Sequence, residues 1–138
     1  MMLTKKGHAL VEVAQLIVLQ RPDGAILLLE DRLGHWGLPG GRLNDGESWL
    51  AALQREVYEE SGIIFFTVKT LLGVYQRFSK SSGQNVYGVI FSGVTAEEEI
   101  TLSSEHAAYE WVYSLEDCDR KNFRLPQVKD AVVGILQR

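Results

Sequence analysis

The sequence predicts one layered domain of the α/β or α+β type. Three observations predict it. Strand-like apolar runs and amphipathic helical stretches mix along the chain without a regular alternation. The length of 138 residues suits a single domain over 1–138 and is too short for two ordinary ones. A chain of this size also buries about two thirds of its unfolded surface, so it needs no covalent staple. Hydrophobic residues make up 46% of it, too many for a disordered chain.

The first strand is read over Val11, Val13 and the run Leu16 to Leu19. Arg21-Pro22-Asp23-Gly24 is a turn, in which proline pre-sets φ and glycine accepts a positive one. Ala25 to Leu29 reads as a second strand, paired with the first as a hairpin. A glycine-rich stretch follows from Gly34 to Gly46. Ser48 to Glu60 reads as a helix that Gly62 ends. Ile63 to Phe78 and Val86 to Val94 are rich in β-branched and aromatic residues, and Ser79 to Asn85 between them is an exposed loop. Tyr109 to Tyr113 is a short strand. Gln127 to Leu136, after Pro126, is a closing helix with Val128, Ala131, Val132 and Ile135 on one face.

Charge and cysteine content exclude other classes. Fourteen basic and 18 acidic residues give a net charge of −4, which speaks against a protein that coats nucleic acid. One cysteine forms neither an internal disulfide nor a cysteine-rich zinc site. Cys118, in the polar segment Glu116 to Arg120, reads as incidental. The run Glu97-Glu98-Glu99 reads as a solvated loop. The polar segment Met1 to Gly7 holds no apolar signal core, and Ala9 to Leu19 is too short to span a bilayer. The expectation is a soluble cytoplasmic protein with no membrane partner.

The first helix is the most informative segment. On an ideal wheel Leu50, Leu53 and Val57 share one face, and Glu56, Glu59 and Glu60 share another. The glutamates at i and i+4 repel by roughly a few tenths of a kcal/mol. They also lie toward the helix C-terminus, where the macrodipole disfavours negative charge. A rule broken without local gain points to function. A divalent cation is the natural compensator, because a cluster of hard oxygens suits Mg²⁺ or Mn²⁺. The helix alone is equally consistent with a solvated acidic face screened by Arg55 and lysines. Its context favours the ion: Leu38-Pro39-Gly40-Gly41 lies just upstream, where glycines allow backbone groups to reach a metal or phosphate. Arg55 and Glu47 are expected to pair and orient the cluster.

From Gly41 to Ile63 the chain reads GRLNDGESWLAALQREVYEESGI. This resembles the Nudix box, G-x5-E-x7-R-E-U-x-E-E-x-G-U with U a bulky aliphatic residue. Gly41, Glu47, Arg55, Glu56, Val57, Glu59, Glu60, Gly62 and Ile63 occupy all nine specified positions. The box holds five of the 18 acidic residues but only two of the 14 basic ones, so most of the net charge is local. Trp36-Gly37-Leu38-Pro39-Gly40 resembles the usual approach to the box.

The resemblance implies the Nudix fold, a mixed β-sheet between helices as an α/β/α sandwich. It implies Mg²⁺- or Mn²⁺-dependent hydrolysis of a nucleoside diphosphate linked to another moiety. By position, Glu56, Glu59 and Glu60 resemble metal ligands, with the Gly40 carbonyl as a further one. Glu47 and Arg55 resemble orienting residues. The general base is a box glutamate such as Glu59 or a later one, for which Glu105 in Ser103-Ser104-Glu105-His106 is the best candidate. His106 reads as a loop residue.

Outside the box the sequence says less. Arg32 and Arg77 are candidate phosphate contacts. Trp36, Tyr75, Phe78 and Tyr87 are candidate base-stacking aromatics, though such residues more often simply pack. No run resembling that of NADH pyrophosphatases is present. The upstream pattern of coenzyme A pyrophosphatases is incomplete, and the proline of many ADP-ribose pyrophosphatases is missing near residue 78. A MutT-like nucleoside triphosphate hydrolase is therefore the leading reading. ADP-ribose, dinucleoside polyphosphates and nucleotide sugars are the alternatives, and a non-catalytic nucleotide-binding domain is less favoured because every box carboxylate is present. Many relatives of this kind dimerise, which leaves a homodimer open.

Overall fold

The computed structural model describes residues 3–138; of the polar N-terminal segment, Met1 and Met2 lie outside the described residues. Ten elements follow one another. They are β1 (Glu12–Gln20), β2 (Ile26–Asp31), β3 (Trp36–Gly37), β4 (Gly40–Arg42), α1 (Trp49–Ser61), β5 (Thr67–Ser79), β6 (Gln84–Val94), β7 (His106–Val112), α2 (Leu115–Asp119) and α3 (Pro126–Leu136).

Seven strands form one mixed sheet in the order β3-β2-β1-β6-β5, with β4 added to β1 and β7 to β2. The long pair β1–β6 is parallel, in register from Glu12 opposite Val86 to Gln20 opposite Val94. The remaining pairs are antiparallel. The expected hairpin between β1 and β2 closes at its turn, where Gly24 N–H donates to the Arg21 carbonyl and Arg21 N–H to the Ala25 carbonyl, both at 2.9 Å. Its ladder then stops at Gln20 opposite Ile26. The strands part because β4 takes the edge of β1 from Ala14 to Leu16, while β2 pairs along its length with β7.

Both faces of the sheet are covered, as expected of a central layer. Alternation along β1 and β2 sends Ile17, Leu19, Leu27 and Leu29 to one side, against Leu53, Val57 and Ile63. Val18, Ile26 and Leu28 go to the other side, against Cys118, Val128, Val132 and Ile135. Helix α1 covers the first face, and α2 with α3 covers the second.

Three expectations change here. Leu50 is 38% exposed, and Ala52 takes its place in the buried face of α1. Cys118, in a segment that reads as polar, sits fully buried in the one-and-a-half-turn helix α2, which Ser114 and Asp117 close with a reciprocal capping box. Glu97 is not merely solvated, since its carboxylate accepts the N–H groups of Ile64 at 2.9 Å and Phe65 at 2.6 Å.

Candidate active site

Helix α1 carries the acidic cluster, and its two ends are secured by local chemistry. Ser48 Oγ accepts the Ala51 N–H at 3.1 Å as the N-cap. Gly62 adopts φ 78° and returns its N–H to the Tyr58 carbonyl at 2.8 Å.

Arg55 is the hub of the site. Its Nε and Nη2 meet the two oxygens of Glu47 at 2.7 and 2.9 Å, a bidentate pair. Its Nη1 donates to Glu56 at 2.9 Å and to Glu59 at 3.3 Å. Nη2 also reaches the Arg42 carbonyl at 3.1 Å and so ties the helix to β4. The repulsion between Glu56 and Glu59 is thus met within the chain by one planar guanidinium that also holds Glu47, whereas Glu60 is not among its partners. The Arg55 hydrogen bond, followed by the Asn44 N–H, holds the Glu47 carboxyl below its ordinary range.

Glu56 and Glu60 are less well compensated. Burial pushes Glu56 up, against the pull of Arg55. Burial pushes Glu60 further, to about 8, although the Gly40 N–H donates to it at 2.8 Å. His106 Nε2 stands 3.6 Å from the other Glu60 oxygen, and its Nδ1 is 3.0 Å from Ser103 Oγ. Burial holds that imidazole below its ordinary value. The carboxylate of Glu56 lies directly against Gly41, where any Cβ would stand 2.5 Å from its carboxyl carbon. Any side chain at Gly41 would therefore displace the Glu56 carboxylate from this position.

The donors present are hard oxygens on one end of α1, which is the chemistry a divalent cation of the Mg²⁺ class takes. Among the described residues no three acidic, imidazole or thiol side chains already converge on a point. Glu56 and Glu59 face Arg55, whereas Glu60 faces Gly40 and His106. The fit to a cation rests on Glu60, a half-buried carboxyl beside His106 that has no Arg or Lys ion pair among the described residues.

Glu60 also lines a cleft of about 230 Å³. Its wall includes Gly40, Gly41 and Arg42 from β4, Tyr75 and Arg77 from β5, Asp31, His35 and Trp36, Arg124 just before α3 and Val128 within it. The short strand β3 brings these together. Trp36 N–H donates to the Asn122 carbonyl at 2.9 Å and the Trp36 carbonyl accepts the Arg124 N–H at 3.1 Å. Lys121 Nζ lies 4.9 Å from the Trp36 ring centre.

A family model for the NUDIX domain matches residues 11–131. The chain is a member of the Nudix family. This Nudix chain is 32% identical over 99 residues to a putative 8-oxo-dGTP diphosphatase of Bacillus subtilis, a match covering 72% of this chain and 64% of that protein. That is a little under two thirds of the relative's length. It is 30% identical over 102 residues to the mouse asymmetrical bis(5'-nucleosyl)-tetraphosphatase, covering 72% of the chain and 69% of the relative. The crystal structure of a MutT protein from Methanosarcina mazei superimposes with a TM-score of 0.74 at 27% identity, covering 92% of this chain and 94% of that one. The mixed sheet with flanking helices is therefore the Nudix fold that the box implied.

The candidate residues outside the box divide. Trp36 and Arg77 line the cleft. Arg32 does not; its Nε is held by the Ser104 carbonyl at 3.0 Å. Tyr87 and Phe78 are exposed on the strands and do not line it either. Glu105 is exposed beside His106, close enough to raise the carboxyls of both Glu56 and Glu60 electrostatically. Sequence reasoning missed Asp31, His35, Arg42 and Arg124 and gave His106 no place in the site. Only Arg42, next to the first box glycine, carried a signal by position. No helix among the described residues is long and apolar enough to cross a membrane.

Proposed function

We propose that this Nudix protein hydrolyses a nucleoside triphosphate at a phosphoanhydride bond with Mg²⁺ or Mn²⁺, and that Glu56, Glu59 and Glu60, with the Gly40 carbonyl, would hold the ion. The observation that carries the reading is the acidic end of α1 opening, through Glu60, onto a cleft that also presents guanidinium groups. A divalent cation held there would supply charge neutralisation for a pyrophosphate and a lowered pKa for bound water.

The chain's own residues supply the rest. Arg55 holds Glu47, Glu56 and Glu59 in one arrangement and so orients the acidic end. Gly41 leaves room for Glu56, and the Gly40 N–H fixes one oxygen of Glu60. Glu105, without a hydrogen bond or ion pair among the described residues, is the group we assign to take the proton of the attacking water, with Glu59 as the other candidate. The water oxygen bonds to phosphorus, the anhydride P–O bond breaks, and its electron pair leaves with the departing phosphate. Trp36 stands in the cleft wall where a base can stack.

A triphosphate is supported by the similarity to the Bacillus subtilis diphosphatase. A dinucleoside polyphosphate is the second reading, supported by the similarity to the mouse tetraphosphatase. The site is proposed to work on a small nucleotide in a soluble cytoplasmic protein. The test is phosphate and pyrophosphate release from (d)NTPs, diadenosine polyphosphates, ADP-ribose, nucleotide sugars and NADH, with Mg²⁺, Mn²⁺ or EDTA. Glu56→Gln and Glu60→Gln should each lose at least about a hundredfold in turnover while remaining folded. Near-normal Mg²⁺-dependent turnover in both variants would overturn the assignment, and no turnover on any substrate would leave a binding domain.

A further inference from the structure

Three guanidinium groups meet in the cleft, one each from β4, β5 and the segment before α3. Arg42 is anchored, with Nη1 3.2 Å from Glu12 and Nη2 donating to Ser79 Oγ at 3.1 Å. Arg77 and Arg124 are not: neither side chain makes a hydrogen bond or ion pair among the described residues. Arg77 is half-buried in the wall, beside the buried Tyr75 ring. Burial and the neighbouring guanidiniums of Arg124 and Arg42 push Arg77 down, and the same three cations act on the Tyr75 hydroxyl. Asp31, Glu60, His35 and His106 line the same cleft, and Glu12 stands near Arg77, yet none is spent on Arg77 or Arg124 as an ion pair.

Gathering three like charges in a partly dry cleft costs stability, which the chain offsets only in part, through the Glu12 pair with Arg42 and the charges of Glu12 near Arg77 and Asp31 near Arg124. Planar guanidiniums with free N–H groups are suited to the tetrahedral oxygens of phosphate, which they meet in bidentate fashion. The acids on α1 cannot serve the same purpose, since they are engaged with Arg55, Gly40 and His106.

We propose that Arg42, Arg77 and Arg124 form a phosphate subsite that takes a phosphate group of the substrate other than the linkage being cut. Arg42 provides the fixed wall, and Arg77 and Arg124 provide the free donors. Which linkage is cut rests on the hydrolase reading above; the binding itself does not. Two sources carry this chemistry: the far phosphate of a polyphosphate chain, or a phosphomonoester on the sugar.

The test is calorimetric binding in EDTA, so that no divalent ion contributes. The probes are inorganic tripolyphosphate, a nucleoside 3′-monophosphate, and neutral guanosine. Wild-type protein should bind tripolyphosphate or the 3′-monophosphate, and the stronger of the two names the source. The double substitution Arg77→Gln with Arg124→Gln should weaken that binding at least about tenfold, as expected for lost charge-assisted hydrogen bonds. Arg77→Lys should retain more of it than Arg77→Gln. The double variant should melt at or above the wild-type temperature, because repulsion is removed, and this separates a ligand role from a structural one. Anion binding unchanged by the double substitution would overturn the proposal. So would guanosine binding that falls tenfold while tripolyphosphate binding does not, since the arginines would then read a base edge. Loss of turnover on every nucleotide, with anion binding intact, would sink the hydrolase reading and leave the subsite standing.

Discussion

Arg55 is the residue whose replacement distinguishes positioning from charge. Lysine keeps the positive charge but cannot meet Glu47 with two parallel donors while also reaching Glu56, Glu59 and the Arg42 carbonyl. Arg55→Lys is expected to reduce kcat/KM and Mg²⁺ affinity by roughly 10- to 100-fold, the range for groups that orient ligands. Steady-state kinetics across a Mg²⁺ titration checks it, and wild-type values would show that charge alone suffices. A second residue-scale prediction concerns acid stability. The hydrogen bond from Arg21, followed by the Ala25 N–H, lowers the exposed Asp23 carboxyl from 3.8 to about 2. A lowered folded-state value means that ionised Asp23 favours the folded chain. Its contribution is complete above pH 3.8 and is lost as pH falls through about 2. Urea unfolding between pH 5 and 2 should therefore give a shallower acid-side loss for Asp23→Asn than for wild type. Equal slopes would show that the turn pairing contributes nothing in solution.

At the scale of elements, α1 matters most because it presents the acids at a defined angle to β4. Gly62 ends it at φ 78°, and a Cβ there would also meet Thr101 at 3.3 Å. Gly62→Ala should cost about 1–2 kcal/mol by thermal unfolding, combining the left-handed backbone penalty with that contact. Ser48→Ala, which removes only the N-cap acceptor, should cost about 1 kcal/mol. A Gly62→Ala protein as stable as wild type would mean that the end of α1 is not held as described. This helix was legible in the sequence because its signals are local: the cap, the glycine and the i, i+3, i+4 acids all lie within fifteen residues. Strand β3 was not legible. It is two residues long, pairs with Leu29 and Glu30 at the end of β2, and is held on its other edge by Asn122 and Arg124, some 86 positions away in sequence. The β1–β2 hairpin was half legible, since its turn is encoded locally while the insertion of β4 beside β1 is not.

For the whole molecule, the two cores on either side of the sheet set stability together, while only one of them touches the acidic helix. Leu53→Ala empties volume between α1 and the sheet and should cost about 2–5 kcal/mol. The same substitution class at Val132, under α3, should destabilise the fold with less effect on Mg²⁺-dependent turnover per kcal/mol lost. Chemical unfolding and kinetics on both variants check this, and equal effects on turnover would argue against the division. Added Mg²⁺ should raise the melting temperature of the wild-type protein and leave that of Glu56→Gln with Glu60→Gln unmoved, because only the folded chain assembles the ligands. A shift of equal size in that double variant would move the ion elsewhere.

The sequence by itself determined the Nudix family, the layered α/β class and the acidic helix, because nine residues at fixed spacing lie in one continuous segment whose geometry is that of a single loop and helix. Tertiary structure decided what lies opposite that helix. Cys118, in a segment that reads as polar, is a core residue because burial depends on α3 packing over α2. Arg32 and Tyr87 left the cleft, while Arg42, Asp31, His35 and Arg124 entered it, because a side chain's neighbours depend on strand register and on the β3 clasp. Spacing along the chain governs a helix face directly; a cleft between strand, loop and distant helix is governed by contacts that no local pattern encodes.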